Sequence, residues 1–255
     1  MKKKHYILTA VISYFVLLIA TIPAKPVTEY INNNSNIIIE GVSGSLWNGR
    51  AYAIVIDGQA ELQHTRWSFK PWKLLTGKIA VLLDTNYLGN NISTEASLSL
   101  TGYLFLNNLN ASLTAKQLTE LANIPLVQLD GLFEVNIKSA QWKHGKLPLA
   151  TGIINWTNAK VTVAESAHLG NISIILSESE QQTLSANISN KGGDINISGT
   201  ADLLPDESYA VDLKFTPTAS TKNSLKQSLG MFAKKQSNGD FLLKNTGSIK
   251  KIGLM

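Results

Sequence analysis

The sequence predicts a mainly β protein: antiparallel strands in one curved sheet or in two layers, with two similar halves as one arrangement, preceded by a single N-terminal transmembrane helix. Three observations carry this. Apolar residues alternate with polar ones at a period of two over much of the chain after Ile37. Turn sequences such as Asp57-Gly58, Gly89-Asn90 and Asp130-Gly131 punctuate that alternation. Finally, Tyr6 to Ile22 runs 17 residues without a formal charge, directly behind Lys2, Lys3, Lys4 and His5.

The uncharged run comes first. As a helix it would rise roughly 26 Å, at the short end of what crosses a bilayer's hydrocarbon core. Three lysines before it, against Lys25 behind it, orient residues 1–5 to the cytoplasm and export the rest. A cleavable signal is the competing reading. Ile22-Pro23-Ala24 makes a poor cleavage site, because Ile22 is large and Pro23 adjoins the cut, so residues 6–22 read as a retained signal-anchor. Residues 23–36, with their asparagine cluster, read as a juxtamembrane linker or helical stub.

The region 37–217 reads as the exported β-rich domain. Tyr52, Ile54 and Ile56 share one strand face, and so do Leu98, Leu100, Leu104 and Leu106, interrupted by Gly102. The same pattern recurs at Phe133, Val135 and Ile137, at Ile172, Ile174 and Leu176, and at Tyr209, Val211, Leu213 and Phe215. Turn-length gaps favour antiparallel hairpins, since parallel neighbours need long crossovers. Three short stretches read as helices: Pro71 to Leu75, Ala115 to Ala122 with a stop at Pro125, and Thr221 to Lys235. The last carries Leu225, Leu229 and Phe232 on one face, suited to packing on a sheet or lying on a membrane. Residues 218–255 otherwise form a lysine-containing tail.

A weak internal duplication spans 37–117 and 130–217. Trp47, Gly49 and the later Trp67 in one half match Trp142, Gly145 and the later Trp156 in the other.

Composition excludes several functions. With no cysteine, disulfide frameworks, cysteine-ligated zinc and thiol catalysis are absent. The net charge of +5 comes with only two arginines, Arg50 and Arg66, and no basic stripe, so nucleic acid is not an expected partner. The four histidines lie in different segments without metal spacing. No nucleophile elbow, phosphate loop or paired carboxylates stand out. The reading is therefore not an enzyme, with no catalytic residue, no metal and no cofactor. An outer-membrane barrel is weaker still, for lack of aromatic girdles.

Val42-Ser43-Gly44-Ser45-Leu46-Trp47-Asn48-Gly49-Arg50-Ala51, followed by Trp67, Pro71 and Leu74-Leu75-Thr76-Gly77-Lys78, resembles protein N of the bacterial type II secretion system. The stretch Pro148 to Val161, with Gly152, Trp156 and Ala159, and the segment Gly199 to Pro217 extend the resemblance. It implies a single-pass inner-membrane protein with a periplasmic β-rich domain that assists export of folded proteins by protein contacts. Its implied partners are inner-membrane platform proteins of that system, the outer-membrane secretin, or both, and the bilayer through the first helix. Gly44, Leu46, Trp47, Gly49 and Trp156 are the signature residues, nominated as structure and interface. A periplasmic lipid-handling or envelope-assembly module, with an apolar β groove including Leu98 to Leu106, is the alternative.

Overall fold

A computed structural model of the chain describes residues 2–58, 60–121, 128–162, 166–179 and 181–249. Ala122 and Pro125, the end and stop expected of the central helix, lie outside the described residues, as do Lys250 and Lys251. The fold is mainly β and every named strand pair is antiparallel. By compactness the chain forms two units, Met1–Ser93 and Thr94–Met255.

The first unit begins with α1 (Lys2–Ala20) and α2 (Lys25–Asn34). Lysines and a histidine occupy the start of α1, leaving an uncharged stretch from Tyr6 to Ala20 that rises roughly 22 Å. Among the described residues, no helix is long and apolar enough to cross a membrane.

Then come β1 (Ile37–Glu40), β2 (Ser43–Gly44), β3 (Asn48–Ile56), β4 (Ala60–Phe69), a 3-10 helix (Pro71–Thr76), β5 (Lys78–Tyr87) and β6 (Asn90–Ser99), the last crossing the unit boundary. Their order is β1-β3-β4-β5-β6, with β2 beside β3. The segment read as a linker is thus largely helical, and it has a structural task. The Asn32 side-chain amide donates to the Ile39 carbonyl at 3.1 Å, and its oxygen accepts from the Ile39 N–H at 2.8 Å. α2 thereby covers part of the edge strand β1, whose unpaired backbone would otherwise be open to another chain.

The buried positions of this unit are mostly small residues, although Tyr87 is buried too. Ala51, Ala53, Thr65 and Ala80 are buried, whereas Tyr52 is 62% exposed. The expected dry face of Tyr52, Ile54 and Ile56 is therefore displaced to its neighbours in the first half of β3. A one-residue change of parity exchanges the faces of a strand, and hydrophobicity alone ranks alanine below tyrosine.

The second unit contains β7 (Leu104–Thr114), α3 (Ala115–Leu121), β8 (Gln128–Trp142), β9 (Leu149–Thr162), β10 (Ser166–Glu178), β11 (Leu184–Lys191), β12 (Ile195–Leu203), β13 (Ser208–Pro217), α4 (Asn223–Phe232), β14 (Lys234–Lys235) and β15 (Phe241–Ser248). The strands follow chain order from β7 to β13, then β15 and β14. From β8 to β13 short connections between long strands produce this meander, while α3 lies between β7 and β8. Glu134, Asn136 and Lys138 are exposed on β8 opposite Phe133, Val135 and the buried Ile137. α3 starts with a reciprocal cap: the Thr114 N–H donates to the Gln117 side chain at 2.9 Å, and the Gln117 N–H donates to the Thr114 hydroxyl at 3.3 Å.

Two expectations change here. Leu98, Leu100 and Leu104 are all exposed, and Leu100 lies in the turn after β6. Within the second unit, Thr94 and Ser97 supply the buried positions of β6. The stretch after residue 217 is also more than a tail with a helix, because β15 pairs with β13 along its whole length. Phe241 anchors it, buried with Ile195, Leu229 and Ala233. The Lys214 ammonium lies 2.8 Å from the Asp240 carboxylate, and its hydrogen bond, with those of Thr216 and Asn238, holds that carboxyl below its ordinary range.

Candidate functional site

The signature Gly44–Arg50 forms the turn between β2 and β3, and its geometry follows from two short-range requirements. Gly44 has φ +91°, and a Cβ there would lie 2.6 Å from the Asn48 carbonyl oxygen. Only glycine relieves both constraints. Ser45 then closes the turn, its N–H donating to the Asn48 carbonyl at 2.9 Å and its hydroxyl accepting from the Asn48 N–H at 3.1 Å.

The closed turn grips the segment leaving α1. The Leu46 N–H donates to the Ile22 carbonyl at 2.9 Å, the Ala24 N–H donates to the Gly44 carbonyl at 3.2 Å, and Pro23 bridges to Ser45. The Trp47 indole N–H reaches the Ile19 carbonyl at 2.7 Å. Ile19 lies in the last turn of α1, where carbonyls lack intrahelical partners, so the indole acts as a cap supplied from a distant part of the sequence.

Behind the turn stands Trp67 on β4. It faces Gly49 across the β3–β4 pair, and its indole N–H donates to the Leu46 carbonyl at 3.0 Å. A Cβ on Gly49 would fall 2.1 Å from the Trp67 ring, so the missing side chain is what admits the indole. Both backbone groups of Leu46 are then committed, one to α1's exit segment and one to Trp67. Trp47 packs on Phe69 with ring centroids 4.8 Å apart, and the Phe69 N–H donates to the Trp47 carbonyl at 2.6 Å.

Gly44, Leu46, Trp47 and Gly49 therefore converge on one clamp at the end of the first helix. Sequence reasoning missed how it works. Leu46 acts through its backbone, and Trp67, which was not nominated, completes the arrangement. The signal for Trp67 was its wide separation from Gly49, which only a strand register could convert into contact.

Trp156 belongs to the second unit and is a core residue, 8% exposed. Its indole N–H donates to the Asp130 carbonyl at 2.9 Å, it stacks on Phe133 at 4.8 Å, and a Cβ on Gly131 would meet its Nε1 at 2.8 Å. This repeats the construction of Trp67 over Gly49. The glycine concerned is Gly131, whereas Gly145, which the duplication reading paired with it, has open space around its Cβ position.

The two arginines also meet. Arg50 on β3 and Arg66 on β4 are register partners, and Arg66 is the register partner of Asp84 on β5. Both arginines, with His64, Tyr52 and Ser43, line a polar cleft of about 380 Å³, and Arg66 and His64 also line a second of about 510 Å³ with Asp84. The Arg50 guanidinium donates to the Ser43 hydroxyl at 2.9 Å. Like charges directly opposite on a sheet repel, and the acidic neighbour on the next strand offsets this. Among the described residues, no group of three histidine, aspartate, glutamate or cysteine side chains could hold a metal ion.

In the second unit α4 lies over an apolar cleft of about 670 Å³ lined by Leu169, Ile195, Ile197, Phe215, Leu225 and Phe232 among others. The helix read as packing on the sheet or lying on a membrane does pack, through the buried Leu229, but covers its neighbours incompletely.

The family model described as type II secretion system (T2SS), protein N, matches residues 35–244 of this chain. No curated protein and no solved structure matches it.

Proposed function

The chain belongs to the type II secretion system protein N family, and from that premise we propose that it is an inner-membrane-anchored periplasmic component that assists export of folded proteins through protein contacts. In this reading α1 is the anchor. It exposes large apolar side chains, including Ile7, Leu8, Leu17 and Ile19, which favours a non-aqueous surrounding. A short run is accommodated by local bilayer thinning and by lysines that extend to the interface.

The observation that carries the proposal is the bond from Trp47 to Ile19 together with that from Leu46 to Ile22. The signature is committed to the end of the apolar helix, so anchoring and the exported sheet form one mechanical unit. Holding a domain beside other membrane components raises its effective concentration, and weak contacts with platform proteins or the secretin then suffice. The fold offers long antiparallel strands as surfaces for such contacts.

Replacing residues 1–22 by a cleavable export signal tests this. Secretion of folded substrates should fall to the level of a strain without the protein, while the released domain still folds and reaches the periplasm. Secretion restored by that free domain at ordinary expression would overturn the anchoring reading.

A second reading, lipid handling, is favoured by the cleft under α4 alone. Its volume is that of a ligand cavity and its lining is apolar. Native mass spectrometry of gently extracted protein should then find a bound acyl lipid that is lost in Phe215→Glu. Protein that is uniformly lipid-free would sink this reading.

A further inference from the structure

The loop between β4 and β5 places apolar residues where a turn is ordinarily polar. Its 3-10 helix, Pro71–Thr76, buries none of its residues. Trp72 is 60% exposed and Leu75 is 89% exposed, with Leu74 and Ile79 also open to solvent. Isolated exposed leucines are common, but a contiguous Trp-Lys-Leu-Leu tip is a patch. Its conformation is fixed: the Lys70 N–H donates to the Ala80 carbonyl at 2.9 Å, and Gly77, at φ +69°, donates its N–H to the Leu74 carbonyl at 3.0 Å.

Two further observations say what covers it. Residues 70–79 contain Lys70, Lys73 and Lys78 and no acidic residue, and the Lys70 ammonium sits 5.6 Å from the Trp72 ring centroid. Tryptophan and leucine with flanking lysines is the composition of a segment seated at a lipid interface, the cations reaching headgroup phosphates. The tip also starts beside the helix end: Phe69, next to Lys70, packs on Trp47, and Trp47 caps Ile19 of α1.

We propose that Pro71–Thr76 is a second membrane contact, in which Trp72, Leu74 and Leu75 enter the interfacial layer of the leaflet where α1 ends and the three lysines face lipid phosphates. The contact rests on the reading of α1 as the anchor. Two points of attachment, one at each side of the Trp47 clamp, fix the direction in which β3, β4 and β5 leave the bilayer, where a single helix would leave it free to swivel.

The absence of cysteine allows single labels on the full chain. Leu75→Cys, Leu17→Cys and Asp57→Cys, each carrying an environment-sensitive fluorophore, are reconstituted in vesicles of phosphatidylethanolamine and phosphatidylglycerol with or without headgroup-proximal quencher lipids. Asp57 lies in the turn at the far end of β3, about 30 Å along the strand from Asn48. Labels at Leu17 and Leu75 should be blue-shifted and lose emission to the quenchers, while the label at Asp57 does neither. A quenched Leu17 with a Leu75 label that behaves like Asp57 overturns the second contact and leaves the anchor standing. An unquenched Leu17 removes the anchor reading and, with it, the second contact that rests on that reading. A Leu75 label that is blue-shifted but untouched by the quenchers identifies a protein surface as the occupant and overturns the proposal. Trp72→Ala in the Leu75→Cys background supplies a second variant, expected to reduce quenching at that position only.

Discussion

Trp156→Ala is expected to destabilise the second unit by about 3–5 kcal/mol, the cost of emptying a large aromatic site in a packed core. Three contributions act together. The ring is buried in the cluster of Ala115, Ala159 and Ile172, it stacks on Phe133, and its indole N–H satisfies the Asp130 carbonyl. Removing it leaves that carbonyl without its donor and uncovers Gly131, where backbone and ring were in contact. Because the chain comprises two compact units, global melting would blend their transitions, so the effect is best read as lost hydrogen-exchange protection of β8, β9 and β10 amides. Trp142→Ala provides the contrast. Trp142 is 48% exposed, and its loss should cost within about 0.5 kcal/mol, as is usual at the surface. Equal effects from the two substitutions would mean that Trp156 is not the core residue described.

This contrast bears on what the sequence made legible. The period-two pattern located β8 and β13 with their wet and dry faces, because apolar residues there are large and their exposed neighbours charged or amide-bearing, as with Asp212 and Lys214 on β13. Where a buried face is made of Ala51, Ala53, Thr65 and Ala80, the same rule chose the wrong side, since large residues such as Tyr52 dominate any hydrophobicity count. Leu98 and Leu100 failed for a related reason: alternation specifies that two faces differ, and packing decides which is covered. The pairing of a tryptophan with a glycine was readable as a motif, but its partner depends on strand register. Trp67 meets Gly49 because the β3–β4 register sets them opposite, whereas Trp156 lies against Gly131 on β8 and Gly145 stays in a turn. The clamp on α1 was unreadable altogether, because it is made chiefly of backbone carbonyls and N–H groups that no side-chain pattern encodes.

Gly49→Ala should have the largest effect on the first unit and, through it, on secretion. The added methyl would occupy the space of the Trp67 ring, with the nearest ring carbon 2.1 Å away and the Ser45 carbonyl oxygen 2.9 Å away, so the indole must leave. Displacing it sacrifices the hydrogen bond to the Leu46 carbonyl and loosens the turn that holds Ile22. Overpacking and the lost bond together predict about 2–4 kcal/mol, read as faster exchange of β3 and β4 amides. If the clamp transmits the anchor's position to the sheet, secretion should drop even where the protein is still made and membrane-bound. A double-mutant cycle separates the clash from a general intolerance of alanine in β3. Trp67→Phe removes the ring atoms nearest Gly49 but also the indole N–H, so alone it should weaken the turn by the value of that bond, about 0.5–1.5 kcal/mol. Combined with Gly49→Ala it should cost clearly less than the sum of the two, because the phenyl ring leaves room for the methyl. Strict additivity would mean that Gly49 and Trp67 act independently, and the tryptophan over the glycine would then not be what ties the signature to the end of α1.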